Sequence, residues 1–165
     1  MEALIAVASK HGSTMEMGRR IARNLRRRGI GAVVCPADRV TSLGGYEIVV
    51  LGTGVYANKM LPAMSALVYR WGDQLAGRAT YLFCSGPLAV EDPSQVALPP
   101  DARTLVRVSG IAGARMFGGC MAWESLRSTE RATMRMWGAA AGDYRDWDDV
   151  DRWSNMIADQ AGGRL

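Results

Sequence analysis

The sequence is short of the residues that carry covalent and metal chemistry. It has one histidine, His11, and three cysteines, Cys35, Cys84 and Cys120, with no C-x-x-C pair among them. A zinc site needs about four ligands of these types at fixed spacing, so no metal centre is expected. No Ser-His-Asp or paired-carboxylate pattern is present, so no side chain is picked out as a catalytic residue. The cysteines are odd in number and sit on apolar, strand-like runs, which reads as reduced core thiols. Lysine is nearly absent: of the 20 basic residues all but Lys10 and Lys59 are arginine. No apolar run approaches the ~20 residues of a membrane span. No basic-then-apolar leader opens the chain, so a cytoplasmic location is expected. A basic stripe interleaved with aromatics is also missing, and no nucleic-acid partner is expected.

What remains is the composition of an ordinary globular protein. The 165 residues are 48% hydrophobic and 22% charged, enough for a single domain over 1–165 with a sizeable core. The net charge of +4 suits an acidic partner, an anionic substrate or an anionic membrane surface.

Apolar runs at Leu4 to Ala8, Ala32 to Cys35, Ile48 to Leu51, Thr80 to Cys84 and Arg115 to Met121 predict five strands. Helical spacing predicts helices at Thr14 to Arg28, Leu61 to Leu75, Asp101 to Val108, Ser125 to Trp137 and Trp147 to Gln160. Asp146 is a good N-cap for the last of these, and its tryptophans, Trp147 and Trp153, read as core anchors. Alternating strands and helices with continuous apolar strands mean an α/β doubly wound parallel sheet with helices on both faces. Five strands suggest the order 2-1-3-4-5, which puts a ligand at the loops after the first, third and fourth strands.

The first of those loops, Ser9-Lys-His-Gly-Ser-Thr14, lies between a strand and a helix marked by Met17, Ile21 and Leu25. The unpaired amides of the helix start favour an anion. Ser9, Ser13 and Thr14 add hydroxyls, and Gly12 allows close backbone approach. Neither the Walker A motif nor the G-x-G-x-x-G fingerprint fits. His11 suits a donor to the phosphate or a neighbour of the ligand's ring, and also an ordinary loop side chain. Lys10 and Lys59 suit either charge balance or the surface.

After the third strand, Thr53-Gly-Val-Tyr-Ala-Asn58 offers hydrogen bonds from Thr53 and Asn58, close approach at Gly54, and the Tyr56 ring for stacking, with Val55 and Ala57 between them. After the fourth, Ser85, Gly86 and Pro87 present backbone amides and a tight turn. The stretch from Pro87 to Pro100 is predicted to be a loop over the site. Trp123, beyond the fifth strand, is a candidate second aromatic.

Ser9, Gly12 and Thr14, with Ile21 beyond them, match the phosphate signature of the flavodoxin family, which this chain resembles. Val7 and Gly18 stand where that family prefers an aromatic and an alanine. The resemblance implies a flavodoxin-like fold and FMN held by residues 9–14, 53–58 and 85–87, with Trp123. The Gly52 to Met60 segment, Asp143-Tyr-Arg-Asp-Trp-Asp-Asp-Val150 and the basic helix Arg131 to Gly138 resemble the menaquinone-dependent protoporphyrinogen dehydrogenase branch. The Gly138 to Gly142 stretch is shorter than its counterpart there.

In the same region Arg127, Arg131 and Arg135 recur every four residues, beside Leu126, Met134 and Trp137. Such a face suits an anionic amphiphile near a lipid surface, or simply solvent. The six arginines from Arg19 to Arg28 read as a solvated face. The expected function is an FMN-dependent oxidoreductase passing electrons from a reduced substrate to a quinone or another small anionic or amphipathic compound. Contact with the inner face of a membrane is an expected partner surface. A non-catalytic electron carrier and a flavin-binding or storage protein are the alternatives.

Overall fold

The computed structural model describes residues 1–86, 90–136, 138 and 140–163. Five parallel strands, β1 (Glu2–Ala8), β2 (Gly31–Pro36), β3 (Ile48–Tyr56), β5 (Ala79–Ser85) and β6 (Gly113–Phe117), form one sheet in the order β2-β1-β3-β5-β6. This is the expected doubly wound order. Alternation along β1 sends Ala3, Ile5 and Val7 into one core layer and Leu4, Ala6 and Ala8 into the other.

Helices α1 (Ser13–Arg27) and α5 (Trp147–Gly162) cover the first layer. Met17, Ile21 and Leu25 of α1 are fully buried there. Helices α2 (Pro62–Ala76) and α3 (Pro100–Val108) cover the second. The Asp146 carboxylate accepts the Asp149 amide at 3.0 Å and starts α5. Trp153 packs edge-on against Tyr81, Phe83 and Phe117 at 5.7–6.2 Å. Trp147 is only partly buried and stacks between Arg20 and Arg145.

Three elements depart from expectation. The third strand continues past Leu51 to Tyr56, so most of the stretch expected as a loop is strand. Gly52 explains it: a Cβ there would overlap the Phe83 ring, so this glycine serves close strand-to-ring packing rather than a turn. The true turn is Ala57-Asn58, both at positive φ (47° and 57°), closing a hairpin onto β4 (Lys59–Met60).

The fifth strand breaks after Phe117. Gly118 and Gly119 pass against the backbone of Tyr144, whose amide donates to the Gly119 carbonyl at 2.9 Å. A two-stranded antiparallel ribbon follows, β7 (Cys120–Met121) with β8 (Gly142–Asp143). The helix expected over Ser125 to Trp137 is a short 3₁₀ turn, Trp123–Ser125, and a separate α4 (Ser128–Met136). Glu130 accepts the Arg127 amide at 2.8 Å and caps that start. Trp137 lies outside the described residues. So do Pro87, Leu88 and Ala89 of the expected loop over the site, while Pro93–Gln95 forms a 3₁₀ turn capped by Asp92.

Candidate functional site

Parallel register brings the ends of three strands level. Ala8 pairs with Thr53, Thr53 with Cys84, and Gly54 with Ser85. The Ser9 to Thr14 loop, the β3–β4 hairpin and Ser85-Gly86 therefore open on one sheet edge. Between them lies a cleft of about 260 Å³. His11, Ser13 and Thr14 line one side, Gly54 to Ala57 a second, and Ser85 and Gly86 a third. The fourth is made by Gly119, Cys120, Met121, Ser125, Leu126 and Met134, of which the sequence singled out only Leu126 and Met134, as apolar neighbours of the arginine stripe. Larger, shallower hollows run along the arginine face of α1 and beside Met1 and Ala79, and neither touches this loop.

Gly12 takes the left-handed conformation, φ 90°, at the entrance to α1. Its amide donates to Ser9 Oγ at 3.0 Å. No side chain caps α1, which leaves its first-turn amides available to an anion. Thr14 is buried at the base of this turn.

A family model described as flavodoxin domain matches residues 4–148. The chain belongs to the flavodoxin domain family. Members of that family bind a flavin, typically FMN. A search of curated proteins finds no match. Among solved structures the chain is similar to a flavodoxin of Streptococcus pneumonia TIGR4, at 19% identity, TM-score 0.59 and full coverage of both chains. It is also similar to a flavodoxin from the domain Archaea, at 14% identity and TM-score 0.62, covering 97% of this chain and 98% of that one. The rubredoxin oxygen:oxidoreductase of Desulfovibrio gigas superposes with TM-score 0.69 at 13% identity over 99% of this chain. The present chain spans only 37% of that protein. At these identities the likeness is one of fold.

The residues of this flavodoxin domain fit a flavin phosphate and ring. Gly54 and Gly86 line the cleft where added side chains would crowd it: a Cβ at Gly54 would lie 3.1 Å from Tyr56, and one at Gly86 would lie 3.0 Å from Val55. Other expected residues lie elsewhere. Thr53 is fully buried, its hydroxyl donating to the Gly54 carbonyl at 2.9 Å and accepting the Leu61 amide at 3.1 Å. Asn58 occupies the exposed hairpin turn with Lys59 beside it. Ser9 and Lys10 border a separate hollow with Pro36, Arg39 and Pro62. Trp123 stands outside the cleft lining, its ring covered by the Arg135 guanidinium at 5.5 Å. Pro87 lies outside the described residues.

The three arginines do not form one stripe on a single helix. Arg131 donates to the Leu126 carbonyl at 3.0 Å, Arg135 covers Trp123, and Arg127 precedes the helix. Two charged residues outside the expected set organise the site. Glu130, on α4, hydrogen-bonds Lys10. That bond, with the Arg127 amide, holds the Glu130 carboxyl down to about 2. Arg145 donates to Asp143 at 2.7 and 2.6 Å, to Glu16 at 2.6 Å and to the Ser13 carbonyl at 3.3 Å, tying β8 to the start of α1. Its side chain is only 7% exposed. The sole sequence signal for it was its place inside the family-like Asp143 to Val150 segment.

All three cysteines are free, but only Cys84 is fully buried, and burial pushes its thiol up to about 12. Cys120 faces the cleft half-buried. Burial and then Asp143 raise its thiol, which is the opposite of an activated nucleophile. Burial, followed by the charge of Glu130, also pushes the Tyr56 hydroxyl up, so it stays protonated as a neutral ring at the cleft.

Proposed function

We propose that this flavodoxin domain is an FMN-dependent oxidoreductase that hands electrons to a small aromatic acceptor of the quinone class. Ser13, Thr14 and the first amides of α1 would hold the phosphate, and Gly54 to Ala57 with Ser85 and Gly86 would hold the ring. The flavin would supply the one- and two-electron chemistry, and the protein binding, orientation and exclusion of water. The observation that carries the enzyme reading is the stretch from Gly119 to Met134. It closes the fourth side of the cleft with Met121, Leu126 and Met134, where an electron carrier would leave the ring edge open to a protein partner.

The net charge of +4 supports residence at an anionic membrane surface, where lipid-soluble quinones are met. No described helix is long and apolar enough to cross a membrane. The resemblance to the protoporphyrinogen dehydrogenase branch supports a quinone acceptor more than a porphyrin donor, given the short Gly138 to Gly142 stretch.

Reconstitution tests the cofactor, and stopped-flow reoxidation tests the acceptor. FMN is expected to bind far more tightly than riboflavin. Thr14→Ala should weaken FMN alone by about 1–3 kcal/mol for the lost charged hydrogen bond. Reduced protein should pass electrons faster to 2-methyl-1,4-naphthoquinone than to a cytochrome. Equal FMN and riboflavin affinity would remove the phosphate site, and a faster cytochrome reaction would return the protein to the carrier class.

A further inference from the structure

A helix that covers a sheet turns one side to the core and the other to solvent, and the solvent side is ordinarily the charged one. On α1 that side carries Arg19, Arg23, Arg26 and Arg27, all exposed. On α2 it is nearly free of charge. Ser65, Ala66, Gly72, Asp73 and Ala76 all lie within about 60° of Tyr69 around the helix axis, at 3.6 residues per turn. Gly72 is half-buried and the other five are exposed. The one charge on this face is Asp73.

Two residues of the face have no explanation inside the chain. Tyr69 is 94% exposed. Gly72 stands in the interior of a 15-residue helix, where glycine is the poorest residue after proline. A Cβ built on it would meet nothing within 4 Å. The helical glycine at position 18 differs, because packing against Val7 requires it. Gly72 instead leaves space on the outside of the molecule, one turn from a ring that projects from it.

These are a knob and a hole on one face, the arrangement that a two-fold axis pairs with itself. In an antiparallel crossing of two α2 helices centred between residues 70 and 71, Tyr69 of each copy lies over Gly72 of the other. Charge is matched by the same operation. Arg70 borders the face on the side of Asp73, and a two-fold perpendicular to the helices keeps both on the same side of the crossing. Each Arg70 therefore comes beside the other copy's Asp73. Neither has a salt-bridge partner among the described residues, although they are three apart on one helix, and Arg70 lies over the Trp71 ring at 5.0 Å.

We propose that α2 is the interface of a two-fold homodimer, in which Tyr69 packs on Gly72 and Arg70 pairs with Asp73 across the axis. A second copy is the occupant that fits, because it fills the hole with the knob and answers each charge with its opposite. An acidic or basic partner would meet one unit charge on this face. None of the described α2 residues lines the cofactor cleft, so the proposal stands apart from the flavin reading.

Sedimentation velocity on the full chain tests it. The expected result is a reversible monomer–dimer equilibrium, with dimer prevailing by about 100 μM. Tyr69→Ser and Gly72→Leu should each weaken it about tenfold or more with FMN affinity unchanged. Tyr69 is exposed and a side chain at Gly72 enters open space, so the core is left alone. Gly72→Ala reads the glycine itself. It should raise the melting temperature of the dilute monomer through helix propensity while weakening the dimer. The charge pair has its own test. Arg70→Asp and Asp73→Arg should each dimerise poorly alone, since like charges then meet across the axis. An equal mixture of the two should form heterodimers in which both ion pairs are restored.

A chain that stays monomeric at about 100 μM, or a dimer untouched by Tyr69→Ser and Gly72→Leu, overturns the assignment. So does a mixture of the two charge variants that associates no better than its components, because the two-fold pairing of Arg70 with Asp73 is then absent.

Discussion

Gly18 on α1 and Val7 on β1 are packed so tightly that a Cβ built on Gly18 would lie 2.7 Å from Val7 Cγ2 and 3.3 Å from Ile5 Cγ2. These are the two positions where the chain departs from the flavodoxin phosphate signature. They are one packing event: the methyl group missing from position 18 is the space taken by the branched side chain at position 7.

Gly18→Ala should therefore be destabilising, although alanine is favoured over glycine in a helix interior by about 1 kcal/mol. Overpacking a core costs about 1–3 kcal/mol and is expected to win here. In a Val7→Ala background the same change should turn stabilising, and a double-mutant cycle by urea unfolding reads the coupling directly. Gain of stability by Gly18→Ala alone would show that the helix gives way more easily than the contact implies.

Glu130→Gln should tighten FMN binding. The carboxylate stands beside the phosphate loop and holds Lys10, so its loss both removes a repelling charge and frees a cation. Both effects favour the doubly charged phosphate, and most strongly at low salt, where exposed charges are least screened. Fluorescence titration should show the gain for FMN, a smaller one at high salt, and none for riboflavin.

Acid stability should depend on the junction of α1 with α5. Arg20 donates to Asp151 at 2.7 and 2.5 Å and Asn24 at 2.6 Å, and with Arg20 as the main cause the Asp151 carboxyl is held down to about 2. A carboxylate depressed in the folded state contributes its full stability above its unfolded value of about 4 and loses it as pH falls toward 2. Wild type should lose urea resistance across that interval. Asp151→Asn should start lower and fall less steeply, the two curves converging at the acid end. Parallel curves would mean that the pair carries no net linkage.

Trp153→Ala should be the most damaging single change to the sheet's α1/α5 face. The indole is 6% exposed and closes a cluster with Tyr81, Phe83 and Phe117. Removing it should cost about 3–5 kcal/mol, and thermal unfolding by circular dichroism measures it. A loss below about 1 kcal/mol would show that the cluster collapses onto the cavity without penalty.

Local signals carried much of this molecule. Strand runs, helix spacing, the Asp146 cap and the Ser9 to Thr14 turn depend on residues near one another in the chain. Strand order then follows from the handedness of crossovers, so the sheet and the edge that bears the cleft were legible. The role of Gly52 was not legible, because a glycine needed for a close ring contact has the same sequence appearance as one needed for a turn. The break at Gly118 was hidden for the same reason: what makes it necessary is the backbone of Tyr144, which no local pattern places there.

The sequence by itself thus determined the α/β framework, the family and three sides of the cleft, because periodicity and capping act over a few residues. Only the tertiary structure decided the fourth side and its charges. Lys10 meets Glu130 across 120 positions, and Arg145 meets Glu16 across 129. Contacts at that separation leave no periodic trace, since each residue alone is indistinguishable from an ordinary surface charge until the folded chain sets its partner beside it.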